Sequence, residues 1–561
     1  VWRRWYAQYY SRNIFDEERG PLHPTPSPLF HKHFANGTVD HLGWVNRFSR
    51  QLARENVNLS FREFCNKSGI PLPKGYRKTF LNLAASFQSL SKYDRPQKPV
   101  EMDLWALAGE WTKEHFYFMN GSCVLNNEVV CADLDKTTSN GYPANLHFPN
   151  KRKFFESPRL GFDCKLPSDI LTDYWDVIGG ENVDRIVPIW CGSQKNEMRS
   201  LEKLQLNKVR TFTAAPIEHT VALNRLCLDM NNKFYAGFND SWSFVGSTKY
   251  LCGWDRLYRR LNKHPNAFEL DESDYDASLQ ALFLLGQRDI RWSMLAAEFH
   301  TGENWNRMQA VYQSIIHSVV VLETGELIQK HTGNPSGCGN TISDNTMILY
   351  RLFAYAWLKL CPLEMRSRVI FEDNVEAALN GDDNTFTCSD LVVGWFNPTN
   401  IRKIWTEIGV TTKTPCETAR PLSETTFLSQ SFHYDQDNEV WLPKPETERV
   451  LCSLLYGASR SDVRFDLLRA HALRIESFGN EYCRDVIARY IAYLHKHYSQ
   501  DFVGEIVFND AVVTIKDIKN MWRSDDWIYA LYSGKEKMCS DDLKFLLAAQ
   551  NFLVPESNFV L

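Results

Sequence analysis

The residues best placed to do chemistry in this chain are carboxylates. Asp382 and Asp383 adjoin where an apolar run, Val375 to Leu379, leads into Asn380-Gly381 and a β-prone run, Thr385-Phe386-Thr387-Cys388, follows. Asn-Gly between two such runs predicts a tight hairpin that presents both acids at its turn. Like charges that close raise one another's pKa unless a cation intervenes, and Mg²⁺ prefers carboxylate and phosphate oxygens. Asp-Asp after glycine is also common in solvated turns, so the pair decides little alone. A second acidic stretch, Phe268-Glu269-Leu270-Asp271-Glu272-Ser273-Asp274-Tyr275-Asp276, alternates like a strand and turns helical from Ser278. Asp271 at the strand end could join Asp382 around metal, with Asp276 five residues on. An Asp-rich strand-to-helix turn is also an ordinary cap.

Cations and hydroxyls supply the other half of the chemistry. Lys195, Arg199, Lys208 and Arg210 lie on two short segments joined by an expected turn. Arg forks and Lys point charges clamp triphosphates, though an exposed basic ribbon would have the same composition. Gly333 to Thr346 is a glycine-rich loop running into a long apolar helix that continues to Leu360. Ser336, Thr341 and Asn345 fall at spacings of five and four there, and a polar face on an apolar helix needs buried partners. A sugar hydroxyl would be one. Ser139-Asn140-Gly141-Tyr142-Pro143 predicts a tight loop that another chain could approach closely. The basic run Lys151-Arg152-Lys153 after it suits a phosphate backbone, or a solvated surface.

These groups need a scaffold of several lobes. At 561 residues with 44% hydrophobic and 13% aromatic composition, the chain can bury three or four cores. Its net charge of −5 carries no global nucleic-acid signature, so any such site is a local basic channel. The 14 cysteines show no CxxC pair and no zinc spacing, and are expected to be reduced thiols. No apolar run approaches the ~18 residues of a membrane span, and no signal peptide is visible. The opening at Val1 without Met fits release from a precursor or a trimmed chain. The arm Trp2-Arg3-Arg4-Trp5-Tyr6, with Tyr9-Tyr10, is expected to pack on the body rather than stack on bases. Helices are predicted from His41 to about Ser91 (Trp44, Phe48, Leu52 at i, i+4, i+8), over Asp103 to Phe118, over Asn400 to Ile408, and at 462–478 and 480–498. Thr426 to Phe432 predicts a hairpin strand.

Six of these segments stand in the order of the motifs of viral RNA-dependent RNA polymerases of positive-strand RNA viruses. The sequence resembles the picornavirus-like supergroup. Ser139 to Pro143 resembles the template-entry motif, and Lys195 to Arg210 the basic fingertip motif that binds triphosphate. Asp271-x₄-Asp276 is similar to the first palm motif, Ser336-Gly337 with Thr341 and Asn345 to the loop-helix motif, and Gly381-Asp382-Asp383 to the metal-binding hairpin. Phe427-Leu428-Ser429 resembles the primer-grip hairpin. Asn380 replaces the usual Tyr, which with Asp344-Asn345-Thr346 leans towards the astrovirus and potyvirus branch. Thr418 stands where the family's general-acid lysine would align, leaving Lys413 or Arg420 as the candidate proton donor.

The resemblance implies an α+β closed right hand with an RRM-like antiparallel palm and a helical thumb. Expected boundaries are 1–95 for an N-terminal extension and fingertips, 96–265 for fingers, 266–285 for the first part of the palm, 286–330 for further fingers, 331–435 for the rest of the palm, and 436–561 for thumb and tail. It implies template-directed nucleotidyl transfer from NTP to an RNA 3′-hydroxyl. Asp271, Asp382 and Asp383 would hold two Mg²⁺ ions, with Mn²⁺ able to substitute. Asp276, Ser336, Thr341 and Asn345 would face the ribose. Lys195, Arg199, Lys208 and Arg210 would face the triphosphate, and Ser139, Gly141, Tyr142 and Pro143 the template. Implied partners are template and nascent RNA, NTPs, a small genome-linked protein primer and other viral replication proteins at membrane-associated complexes in host cytoplasm. A reverse transcriptase is the nearest rival, but it usually carries a bulky aromatic where Asp276 stands. A catalytically silent scaffold would have no need of all three aspartates.

Overall fold

A computed structural model describes residues 25–45, 56–157, 167–180, 186–413, 417–457, 461–508, 511–514 and 522–535. The aromatic arm Trp2 to Tyr10 and the positions Phe48 and Leu52 lie outside the described residues.

The central sheet is antiparallel, with strands in the order Thr411–Lys413, Asn266–Ser273, Asp383–Cys388, Val375–Asn380. Ala267, Phe268 and Leu270 of its second strand are buried, as are Ala377, Ala378, Leu379, Phe386 and Cys388 of the hairpin. Burial on both faces explains why these strands read as apolar runs rather than clean alternations. Against the sheet and the hairpin turn lies the 20-residue helix Thr341–Leu360, buried continuously from Ser343 to Leu358. A helix apolar almost all round belongs in a core, and Met102–His115 and Pro398–Glu407 pack against it. Its polar N-terminal turn is satisfied internally. Arg291 Nε donates to Asp344 Oδ1 (2.6 Å), Tyr312 donates to Asp344 Oδ2 (2.8 Å), and Arg291 also donates to Ser343 (2.8 Å). Removing one partner of so buried a pair would strand the other charge, at about 3–5 kcal/mol.

A second, five-stranded sheet runs Asp40–Trp44, Glu326–Gln329, Val319–Val321, Ile189–Gln194, Thr211–Ala214. The predicted helix around Trp44 is therefore corrected. Asp40–Trp44 is a strand on Glu326–Gln329, and helices occupy Leu59–Ser68 and Leu83–Leu90. Local spacing suggested a helix, but long-range pairing decides strands, and Trp44 alone cannot reveal a partner some 280 positions away. The turn expected between Arg199 and Lys208 is also corrected, because the short helix Leu201–Gln205 stands there.

The C-terminal helices Thr447–Tyr456, Val463–Glu476 and Glu481–His497 fall where helical spacing placed them. Phe61 and Phe64 of the Leu59–Ser68 helix share their apolar core. Asn58 caps that helix through Phe61 N (2.9 Å) and donates to Tyr490 (3.1 Å), while Ser60 donates to Asp466 (3.0 Å). Glu446 and Glu448 hold Tyr76 and the amide of Gly75 (2.6 and 2.7 Å). The N-terminal third thus reaches the C-terminal helices, and Tyr76–Lys78 pairs antiparallel with Met198–Ser200. The hand is closed.

Candidate active site

The carboxylate cluster is built by strand register. Asn384 pairs with Leu270, which sets the hairpin turn beside Asp271 at the far end of the neighbouring strand. The turn residues are Gly381 and Asp382, with Asp383 opposite Asn380 in the ladder. This corrects the Asn380-Gly381 turn: Gly381 is the first central residue, at φ +67°, a conformation that glycine takes without strain. Asp382 is exposed at the tip and Asp383 half-buried at the strand start.

Two groups not singled out in the sequence hold this turn. Gly381 N–H donates to Thr346 Oγ1 on the long helix (2.8 Å). Asn384, 1% exposed, donates to Leu270 O (3.2 Å), Asp382 O (3.3 Å) and Glu272 Oε1 (3.1 Å), stitching turn and Asp271 strand together. Both follow Gly-Asp-Asp or Asp-Asn wording too closely to signal a separate role. Desolvation in the cleft pushes the Asp382 carboxyl up to about 6, with Asp276 adding and Arg210 opposing. Desolvation and then Asp382 push Asp383 up to about 7.

The fingertip cations face these acids. Arg210 is held above its ordinary pKa first by Glu197, then also by Asp382 and Asp276. Its Nε and Nη2 both donate to Glu197 at 2.6 Å, and Arg199 Nη1 lies 3.7 Å from the same carboxylate. Lys203, missed in the sequence, is within reach of Asp271, Lys413, Arg199 and Arg210; desolvation is the first cause of its lowered pKa. Its signal was an even spacing, Lys195, Arg199, Lys203, hidden by the expectation of a turn. Lys208 is exposed and its amide bonds Lys203 O (2.9 Å). Lys195 sits over the Phe212 ring at 6.0 Å.

Asp276 and Asn345 come together across the cleft floor. Asn345 Nδ2 donates to Asp276 Oδ1 (2.9 Å), and Asn334 Nδ2 donates to Asn345 Oδ1 (3.0 Å), fixing the amide's orientation. Ser336 is half-buried in the loop ahead of them. Thr341 is instead turned into its own loop, donating to Pro335 O (2.7 Å) and Cys338 O (2.9 Å). The single proton of that hydroxyl is shared between the two carbonyls, so towards a sugar Thr341 has only its acceptor side left.

The template-entry residues are likewise inward. Gly141, Tyr142 and Pro143 are buried, and only Ser139 of the four expected contacts is exposed. A Cβ on Gly141, at φ +71°, would lie 2.2 Å from Ala215 O, so the close approach is to this chain's own backbone. Lys151, expected on a phosphate-facing run, is buried; its ammonium bonds Thr138 Oγ1 and Ser139 O (2.9 Å), and desolvation lowers its pKa to about 8. Lys153 pairs with Glu156 on the surface (2.8 Å). Lys151→Met is expected to strand the Ser139 carbonyl, cost about 1–3 kcal/mol and speed hydrogen exchange over residues 136–140. Unchanged exchange would remove the lysine's bracing role.

The donor set fits a divalent ion that a substrate helps to bind. Asp271, Asp382 and Asp383 offer only hard oxygens; after desolvation, Asp276 and Asp271 push Asp382 up, and Asp382, Glu269 and Asp271 push Asp383 up, a repulsion a cation would relieve. Among the described residues no three such side chains converge tightly enough to cage an ion. Mg²⁺ habitually takes one or two carboxylates and completes its shell with phosphate and water.

An antiparallel sheet bearing such acids, with the cations of residues 199–210 in electrostatic range of them, is the architecture of the right-hand polymerase fold. Residues 68–495 match the family model for viral RNA-dependent RNA polymerase, and the chain belongs to that family. It is 30% identical over 445 residues to the genome polyprotein of Turnip mosaic virus (strain Japanese), covering 76% of this chain and 13% of the polyprotein. Genome polyprotein 1 of Barley mild mosaic virus (strain Na1) is 26% identical over 450 residues, 78% of this chain and 18% of that one. The chain thus spans under a fifth of the curated relatives it matches. The Sicinivirus 3Dpol RNA dependent RNA polymerase shares the fold, with TM-score 0.65 and 15% identity over 85% of this chain and 97% of that one. No described helix is long and apolar enough to cross a membrane.

Proposed function

We propose that the cleft carries out template-directed addition of ribonucleotides to an RNA 3′-hydroxyl, replicating and transcribing a viral RNA genome. The observation that carries this reading is the meeting of Asp271, Asp382 and Asp383 with Arg210 and Lys203 at one cleft. Asp271, Asp382 and Asp383 would hold two Mg²⁺ ions, or Mn²⁺. When bound, such ions lower the pKa of an attacking hydroxyl and neutralise a leaving pyrophosphate. Arg210, Arg199, Lys195 and Lys203 screen the triphosphate and stabilise charge that develops on it. Glu197 keeps Arg210 oriented until a triphosphate competes for it. RNA and NTPs are the substrates; a small genome-linked protein primer and other viral replication proteins are the partners that the family resemblance implies. Primer extension on an RNA template, comparing NTPs with dNTPs, tests the reading; no extension with either would reject it, and a preference for dNTPs would move it to reverse transcription.

Sugar choice follows from Asp276 and Asn345. The amide holds the Asp276 carboxylate so that its second oxygen can accept from a 2′-hydroxyl. A site built to bond a hydroxyl rejects the analogue lacking it, because its own polar groups are left unpaired. One such unpaired group costs about 1–3 kcal/mol, or roughly ten- to a hundredfold. Asp276→Ala, and Asn345→Ala more mildly, are expected to lose that much NTP-over-dNTP preference by slowing ribonucleotide incorporation. If Asn345→Ala melts like wild type and keeps full discrimination, the amide has no part in sugar choice.

A further inference from the structure

A buried lysine lies beneath the loop that carries this sugar site. Lys330 is 1% exposed, and its Nζ donates to four main-chain carbonyls: Ile315 (2.7 Å), Ile316 (3.2 Å), Thr332 (3.1 Å) and Gly333 (2.7 Å). The first two are C-terminal carbonyls of helix Gly302–Ile316, Ile315 O accepting also from Ser318 Oγ (2.8 Å); the other two belong to the loop that leads into the long helix. The Tyr93 ring covers the ammonium at 5.2 Å. Burial depresses the lysine's pKa well below its ordinary value. Four acceptors and no donor nevertheless suit an ammonium, which accepts none and whose three protons cover four carbonyls with one proton shared between two of them.

The clamp joins directly to the ribose-facing groups. Gly333 N–H donates to Leu279 O (2.8 Å) and Asn334 N–H to Asp276 O (2.8 Å). Asn334 then orients Asn345, and Asn345 orients the Asp276 carboxylate, at the distances already given. The path from Nζ to that carboxylate thus runs through one peptide unit and two side-chain amides. A helix C-terminus needs only a cap, and a surface cation would serve. Reaching past those carbonyls to grip Thr332 and Gly333 does something a cap does not: it fixes the height of Asn334 against Asp276.

We propose that Lys330 is a positioning residue for sugar selection, its ammonium stapling the Thr332–Gly333 backbone to the end of helix Gly302–Ile316 so that Asn334, Asn345 and Asp276 keep one geometry towards the nucleotide 2′-hydroxyl. This rests on the ribose-sensing reading of Asp276 and Asn345 and extends it to a residue that touches no substrate.

The test measures single-nucleotide incorporation of matched NTP and dNTP by the full chain on a primed RNA template. Variants are Lys330→Met, Lys330→Gln, Asp276→Ala, and Lys330→Met with Asp276→Ala. Lys330→Met is expected to lower the NTP-over-dNTP preference about tenfold through slower NTP incorporation, leaving the dNTP rate near wild type. Lys330→Gln, which restores two donors, is expected to fall between. In the Asp276→Ala background, Lys330→Met is expected to cost no further preference. Equal slowing of both nucleotides by Lys330→Met, or unchanged preference, overturns the proposal. Should Lys330→Met not fold, Lys330→Gln decides by the same criterion. Full preference in Asp276→Ala would overturn the underlying ribose reading, whereas loss there with none in the Lys330 variants overturns only the role of the lysine.

Discussion

Asp382→Asn is expected to lower nucleotide incorporation by about 10³-fold while raising the melting temperature of the metal-free chain at pH 8. The rate loss follows from removing a turn carboxylate whose bound cation would be worth several kcal/mol in the transition state, at about 1.4 kcal/mol per tenfold. The stability gain follows from linkage. Desolvation within the cleft, onto which the exposed Asp382 opens, and then the neighbouring acids raise the folded-state carboxyls to about 6 at Asp382 and about 7 at Asp383, from 3.8. A carboxyl that binds its proton more tightly when folded destabilises the fold once ionised, so this cost grows as pH rises from about 4 and is complete above about 7. Asparagine removes one of the charges. The gain in melting temperature is expected to shrink as pH falls through 7 and 6. Mg²⁺ is expected to raise the wild-type melting temperature more at pH 8 than at pH 5.5, because protons compete for the same oxygens, and to do so less in the variant. Asp271→Asn is expected to match it in rate, and Asp383→Asn to keep some activity. Near-normal synthesis by purified Asp382→Asn would end the metal-ligand assignment.

What the sequence revealed and what it hid divide along a physical line. Glycines, adjacent acids and helical spacing are local, and they placed the hairpin, the long helix and the C-terminal helices within a few residues. Partners far apart in sequence were not legible. Trp44 lies in a strand because Glu326–Gln329 offers an edge, and Lys151 is buried because the Thr138–Ser139 backbone turns towards it. Thr341 illustrates the same limit at short range: its spacing put it with Asn345, but only the loop's path shows its hydroxyl spent on Pro335 and Cys338. The turn chemistry was misjudged by one residue. Asn-Gly favours both residues at positive φ, whereas here Asn380 stays in the ladder and Gly381 alone takes it. Likewise the hairpin after Phe427 turns on Leu428 and Ser429, at φ +51° and +60°, with no glycine to announce it. Such strain in non-glycine residues persists where surrounding contacts impose it. Here the turn is closed by the Phe427–Gln430 pair, and the Glu269 carboxylate holds the strand that enters it, accepting from Thr426 N and Oγ1 (2.5 and 2.8 Å).

Lys413→Leu is expected to slow incorporation about a hundredfold, the lower part of what a positioned general acid supplies. Thr418 cannot donate a proton usefully at neutral pH, which left Lys413 and Arg420 open in the sequence. Their surroundings separate them. Lys413 pairs with Asp271 across the strand ladder, and directly opposed residues put their side chains on the same face. It is exposed to the cleft, and Lys203 feels its charge together with that of Asp271. Arg420 is instead bound to Glu269, and its main chain bridges Ala267 (3.3 Å). A guanidinium is also a poor acid, since it scarcely deprotonates, whereas an ammonium can release its proton to a leaving pyrophosphate oxygen. Arg420→Ala should instead lose stability, because it frees Glu269 beneath the Thr426 hairpin. An unchanged maximal rate in Lys413→Leu would remove Lys413 from proton transfer.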